Sequence, residues 1–163
     1  NVVSYNNTAL TADTDYFYRV IAHNASGDSA ASAVKAPHTL LPPVTGLSAT
    51  GVSTTQINLA WTDSTDESGY TIERSSNGTT WAQIATAAAD ATTYSNTGLA
   101  GGTAYYYRVR AVNAGGNSLA GEAKVGLTIP LAATLSVSTL SGSQLKLTWT
   151  NVAGESGYRI GGP

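Results

Sequence analysis

The chain has 163 residues, of which 42% are hydrophobic and 11% are charged, and its formal net charge at pH 7 is -2. This is enough apolar material to bury one or two small cores, and so weak a charge excludes nucleic acid and anionic membranes as electrostatic partners. Cysteine is absent, which excludes disulfides, thiolate metal sites and thiol nucleophiles.

The first predicted element is the segment TDYFYRVIAHNASGDS at 14–29. A close copy, TAYYYRVRAVNAGGNS, follows 89 residues later at 103–118. In both copies apolar residues alternate with polar ones, a pattern that predicts half-buried strands. Tyr16 and its copy Tyr105 are therefore predicted core residues.

A second repeat, with a shift of 88 residues, pairs the strand pattern INLAW, ending at Trp61, with LKLTW, ending at Trp149. It also pairs the tetrapeptide ESGY, ending at Tyr70, with a second ESGY. We predict that Trp61, Tyr70 and Trp149 belong to cores. The two repeats together divide the chain into the last part of one unit (1–39), one complete unit (40–129) and the first part of a third unit (130–163).

The complete unit shows about seven short apolar segments in about 90 residues, separated by turn signals such as Asn77-Gly78 and Gly101-Gly102, which indicates an antiparallel two-sheet sandwich. Prolines lie at the unit junctions. Because proline fixes the backbone angle φ and few residues separate the units, we expect semi-rigid joints.

The segments PPVTGLSAT (42–50), SGYTIERS (68–75) and GLAGGTAYYYRVRAVNAGGNS (98–118) resemble the fibronectin type III family, in the tandem form found in secreted bacterial proteins. The resemblance implies an all-β, immunoglobulin-like antiparallel β-sandwich. It places strands A, B and E in one sheet and C, C′, F and G in the other. The first segment would then hold strands E, F and G, and the last would hold A, B and C.

The same resemblance assigns Tyr16 and Tyr105 to a tyrosine corner, in which the ring packs inward and the hydroxyl bonds to upstream backbone. It also pairs strand C with strand F. That pairing would set Glu73 between Arg108 and Arg110, as an ion pair on the outer face of the sheet.

Candidate sites are few. His23 could act as a base near Asp15 and Ser4, but its repeat counterpart is Val112, so we expect a surface histidine. The loop residues Asp63, Asp66 and Glu67 could bind calcium or simply form a solvated turn. The sequence leaves these two alternatives open.

Two aromatic residues, Phe17 and Tyr106, occupy equivalent outward positions and are candidate surface-binding residues for carbohydrate. A single outward ring per unit is also common on ordinary sheets. We expect no catalytic residues, no cofactor and no metal centre, and we predict that the chain is not an enzyme.

The sequence therefore predicts a structural or adhesive module of an extracellular or cell-surface protein, acting as spacer, stalk or filament segment. The alternative is an accessory region of a secreted polysaccharide-degrading enzyme. Because the chain does not begin with methionine, we expect a processed product or a piece. Expected partners are neighbouring units of the same or an identical chain, with head-to-tail completion of the split unit as one arrangement, and a carbohydrate or cell-surface ligand.

Overall fold

The computed structural model describes residues 2–162, so Asn1 and Pro163, at the outer ends of the predicted first and third segments, lie outside the described residues. Every regular element in this range is a strand, and no helix in it could cross a membrane. The strands are β1 (His23–Asn24), β2 (Gly27–Asp28), β3 (Ser48–Gly51), β4 (Ile57–Ala60), β5 (Gly69–Ser75), β6 (Ala82–Ala88), β7 (Thr93–Asn96), β8 (Ala104–Asn113), β9 (Gly116–Asn117), β10 (Lys124–Leu127), β11 (Leu135–Ser141) and β12 (Gln144–Trp149).

Two antiparallel sheets build the central unit, residues 40–129. One has the order β3-β4-β7, and the other has the order β10-β8-β5-β6 with β9 paired to β8. These orders are those expected for strands A-B-E and G-F-C-C′ of a fibronectin type III sandwich. The predicted all-β fold and its division into sheets are confirmed.

The core lies between the two sheets because apolar residues alternate along the strands. In β4, Ile57 and Leu59 are buried while Asn58 is exposed. Fully burying an aliphatic side chain of this size contributes about 1.5 to 3 kcal/mol. Besides these two, the core contains Leu41, Val44, Leu47, Trp61, Tyr70, Ile72, Leu99, Tyr107, Val109 and Ala111.

The predicted core residues of the central unit lie in or beside this core. Trp61 and Tyr70 are buried, and their rings meet edge to face with centroids 5.4 Å apart. Such a pair contributes about 0.5 to 1.5 kcal/mol beyond burial alone. Tyr105 is half-buried and packs against the core edge, whereas Tyr107, two residues along β8, is fully buried.

Both predicted tyrosine corners have the hydroxyl contact that the resemblance implied. The Tyr105 hydroxyl accepts a hydrogen bond from the backbone N–H of Ala100 at 3.1 Å. The Tyr16 hydroxyl accepts one from the N–H of Thr11 at 2.8 Å. Each bond joins residues five positions apart and holds the backbone of the turn that precedes the tyrosine.

The head segment, residues 2–39, differs from the predicted strands E, F and G. Its regular structure is the two-residue pair β1–β2, together with isolated bridges joining Asp15 to His38 and Tyr18 to Lys35. The first predicted strand is absent from the described structure of this segment. The reason is that its counterpart β7 pairs only with β4, and the described residues of the head segment contain no equivalent of β4.

The tail segment, residues 130–162, forms the first two predicted strands as β11 and β12. The repeat places the third predicted strand from residue 157 onward, but residues 157–162 lie in no strand. Trp149 contacts Tyr158, with ring centroids 5.5 Å apart, but remains 39% exposed. Its predicted core position is therefore not observed. The second sheet that buries its counterpart Trp61 has no equivalent among the described residues of the tail.

Candidate functional site

The two candidate surface-binding rings, Phe17 and Tyr106, lie in different segments and form no common platform. Phe17 is 71% exposed in the head segment. Tyr106 is half-buried on the outer face of β8, and its ring lies beside the turn at Gly78. Each ring stands alone, as ordinary aromatic residues on sheet surfaces do.

A charged cluster occupies the outer face of β5 and β8, where the strand pairing sets Glu73 opposite Arg108. Glu73 Oε2 accepts hydrogen bonds from Nε of Arg108 and from Nε of Arg110, the latter at 3.1 Å. Burial raises the pKa of Glu73, but the hydrogen bonds and charges of the two arginines outweigh it, so the pKa lies below its usual value. This carboxylate is therefore ionised at neutral pH.

Trp81 completes this cluster and was missed in the sequence. The Arg108 guanidinium lies over its ring, 4.4 Å from the centroid. The sequence signal that could have identified Trp81 is an isolated tryptophan within the polar segment SNGTTWAQ. Because the cation covers one face of the indole, the arrangement is a self-contained cation–π contact that stabilises the sheet surface.

The acidic loop brings together Asp63, Glu67 and Asp90, and one carboxylate oxygen from each lies within 4.8 Å of the other two. Asp90 comes from the turn between β6 and β7 and was missed, whereas the predicted Asp66 is not a member. Oxygen ligands of this kind suit a hard cation such as calcium.

One of these carboxylates, that of Asp63, already accepts a hydrogen bond from another side chain of the same unit. Asp63 Oδ1 accepts a hydrogen bond from the Tyr70 hydroxyl at 2.7 Å. In the tail segment the uncharged Asn151 accepts the equivalent bond from Tyr158 at 2.9 Å. Because the uncharged residue makes the same contact, we assign Asp63 a structural role in positioning this loop.

His23 is exposed in β1, and its predicted partner Asp15 contacts the other histidine instead. His38 lies between two carboxylates, with Nδ1 2.8 Å from Asp15 Oδ1 and Nε2 2.8 Å from Asp13 Oδ1. The same oxygen of Asp13 accepts a hydrogen bond from Nδ2 of Asn113 in β8, also at 2.8 Å. The head segment is thus bound to the central unit at the end of β8.

The tail segment meets the opposite end of β8. Gly102 and Gly154 approach so closely that a Cβ on Gly102 would lie 1.8 Å from the carbonyl oxygen of Ala153. Both glycines have positive φ, 60° and 75°. Only glycine fits at these two positions. The backbone is left-handed at both, and the backbone of the facing segment occupies the space that a side chain would need.

Three proteins share extensive sequence similarity with this chain. Exoglucanase B of Cellulomonas fimi is 36% identical over 141 residues, and endoglucanase B of the same organism is 38% identical over 142 residues. Chitinase A1 of Niallia circulans is 36% identical over 120 residues. The matches cover 77%, 78% and 68% of this chain, yet the chain spans only 12%, 13% and 17% of these relatives.

Solved structures agree with the fold. A Fn3-like protein from Clostridium thermocellum matches with a TM-score of 0.50 and 34% identity, over 56% of this chain and 97% of that protein. The chicken CNTN1 FN1-FN3 domains match with a TM-score of 0.52 over 77% of this chain and 46% of that one; at 19% identity they show the fold alone. The sequence profile of the fibronectin type III domain matches residues 42–125. The chain belongs to the fibronectin type III family.

Proposed function

We propose that the chain is a non-catalytic spacer within an extracellular polysaccharide-degrading protein. The observation that carries this proposal is the similarity to two glucanases and a chitinase, of which this chain spans only 12% to 17%. The fibronectin type III domain is a non-catalytic type of module. Glucan and chitin are polymers too large to enter a cell, so an enzyme that degrades them works outside it.

The two joints support a spacer role. The head segment binds one end of β8 through Asn113, and the tail segment contacts Gly102, just before the other end. Because β8 has ten residues, these contacts are separated by about 33 Å along the strand. Because hydrogen bonds and close backbone contacts hold both joints, we expect them to keep the head and tail segments a defined distance apart.

Incubation with insoluble cellulose and with chitin tests this proposal. We expect the chain to stay in the supernatant and to release no reducing sugar from either polymer. Release of sugar would contradict the non-catalytic assignment. If the chain is instead retained on the polymer, and Tyr106→Ala or Phe17→Ala abolishes this retention, the chain is a carbohydrate-binding module rather than a spacer.

A second candidate is assembly of successive units into a stalk or adhesive filament. The specific observation is that the inward positions of β11 and β12 are exposed, with Val137 at 56% and Leu145 at 62%. Their counterparts in the central unit are packed in the sandwich. We propose that neighbouring units, in the same chain or in an identical one, cover these residues. Concentration-dependent sedimentation would support completion between chains, and a strictly monomeric chain would limit completion to neighbours in one chain.

A further inference from the structure

The contacts of His38 require a particular protonation state. Both ring nitrogens lie 2.8 Å from carboxylate oxygens, one of Asp13 and one of Asp15. An ionised carboxylate only accepts hydrogen bonds, and a neutral imidazole carries a single N–H. Both contacts can therefore be hydrogen bonds only when His38 is an imidazolium. A neutral ring would turn one of its nitrogen lone pairs toward a carboxylate.

This histidine acts on the joint through Asp13. Asp13 Oδ1 accepts hydrogen bonds both from Nε2 of His38 and from Nδ2 of Asn113, so it links the head segment to β8 of the central unit. Asn113 Nδ2 also donates to the Thr39 carbonyl at 2.9 Å. The imidazolium and the amide together hold one carboxylate in place across the joint.

The cluster is specific to this joint. At the repeat shift of 89 residues, Asp13, Asp15 and His38 correspond to Gly102, Ala104 and Leu127. The adjacent threonine is repeated, since Thr39 and Thr128 make equivalent bonds to the backbone. The common unit thus supplies the threonine anchor, and the charged contacts are an addition at the first joint.

The surroundings of the ring contain charges of only one sign within the described residues that contact it. The head segment presents the carboxylates of Asp13 and Asp15. From the turn between β8 and β9, Asn113 contacts the Asp13 carboxylate and Gly115 lies beside the backbone carbonyl of His38, and neither carries a charge. Hydrogen bonds to Asp13 and then to Asp15 hold the pKa of His38 above its usual value. Hydrogen bonds from His38 and Asn113 hold the pKa of Asp13 below its usual value.

We propose that His38, Asp13, Asp15 and Asn113 form a pH-sensitive clamp that holds the head segment against the central unit in mild acid and loosens when His38 loses its proton. This inference goes beyond the spacer function and does not depend on it.

The direction of the pH dependence follows from the raised pKa of His38 and the lowered pKa of Asp13. The contribution of His38 is complete below its usual value of 6.5 and is lost as pH rises through its raised pKa. The contribution of Asp13 is complete above its usual value of 3.8 and is lost only as pH falls through its lowered pKa. The clamp is therefore strongest between these two values.

An NMR titration of the whole chain tests the clamp. We expect His38 to carry protons on both ring nitrogens in mild acid and to titrate with a midpoint above 6.5. The side-chain amide signals of Asn113 should shift with the same midpoint. Backbone relaxation should show the head segment tumbling with the central unit below that midpoint and gaining independent motion above it.

Two variants separate the clamp from general effects of pH. His38→Gln should remove the pH dependence of both the Asn113 signals and the head-segment relaxation, whereas the matched control His23→Gln should preserve it. Asn113 signals that stay constant while His38 of the unaltered chain titrates would overturn the proposal. So would a head segment that moves independently at every pH, or a pH dependence that survives in His38→Gln.

Discussion

At the scale of single residues, the repeat places the same hydrogen bond in two environments. Asn96 Nδ2 donates to the Tyr107 hydroxyl at 2.9 Å, and both side chains are buried in the sandwich. In the head segment Asn7 Nδ2 donates to the Tyr18 hydroxyl at the same distance, but this bond is exposed. Because the donor and acceptor groups are the same in both bonds, the difference in stability lost when each bond is removed measures the effect of burial.

We predict that Tyr107→Phe lowers the free energy of unfolding of the central unit by about 1 to 3 kcal/mol, because it leaves the buried amide of Asn96 without its acceptor. The matched control Tyr18→Phe should change this free energy by less than about 0.5 kcal/mol. Urea denaturation followed by tryptophan fluorescence measures both. Equal effects of the two variants would show that the buried bond has no special importance.

The charge on Glu73 should give the sheet surface an acid-sensitive contribution to stability. Since the arginines lower its pKa, the contribution is present above the usual value of 4.5 and is lost as pH falls through the lowered value. We predict that Glu73→Gln is less stable than the unaltered chain at neutral pH and that the difference shrinks as pH falls below 4.5.

Denaturation midpoints measured across this range provide the test. Glu122→Gln is the control, because Glu122 is exposed and pairs with Lys124 on the surface, where ion pairs contribute little. A difference between Glu73→Gln and the unaltered chain that stays constant with pH would contradict the assigned role of the carboxylate.

At the scale of strands, sequence periodicity was a sufficient guide wherever both neighbours of a strand are present. It predicted β4, β5 and β8 and the inward face of each. It could not rank Tyr105 against Tyr107, because both lie on that face and only the opposing sheet decides which ring is fully covered. In the tail the same pattern predicted a core position for Trp149, yet burial requires a second sheet that a local pattern does not describe.

The turn before β8 offers a test of close packing between segments. Gly102 and Gly98 both have positive φ, 60° and 72°, but a Cβ on Gly98 would meet nothing within 4 Å. Gly102→Ala and Gly98→Ala should therefore share a backbone cost of about 1 to 2 kcal/mol. Only Gly102→Ala should also displace the amide signals of Ala153 and Gly154.

Two-dimensional NMR spectra of the two variants distinguish these effects. Signals from 152–155 that respond equally to both substitutions, or to neither, would show that the tail segment does not rest on this turn.

At the scale of the whole molecule, the division of the chain was predicted from its repeats, but the contacts at the joints were not. Asp13 and Asn113 are 100 residues apart in sequence, and no periodic pattern links them. The contacts of His38 could not be predicted from its sequence neighbours, because Asp13 and Asp15 lie 25 and 23 residues away and meet it only when the head segment folds back on itself. Long-range polar contacts of this kind depend on tertiary geometry, which a repeat search does not supply.

The central claim is that the joints hold the segments at a fixed separation, so that the chain acts as a spacer. Because the chain has no cysteine, spin labels can be attached at Ala12→Cys and Ala153→Cys without background labelling. Pulsed electron–electron double resonance then measures the distance between the two labels. In mild acid, where His38 is protonated, the account predicts a single narrow distribution at no less than about 30 Å, set by the length of β8. A broad distribution reaching short distances would contradict it.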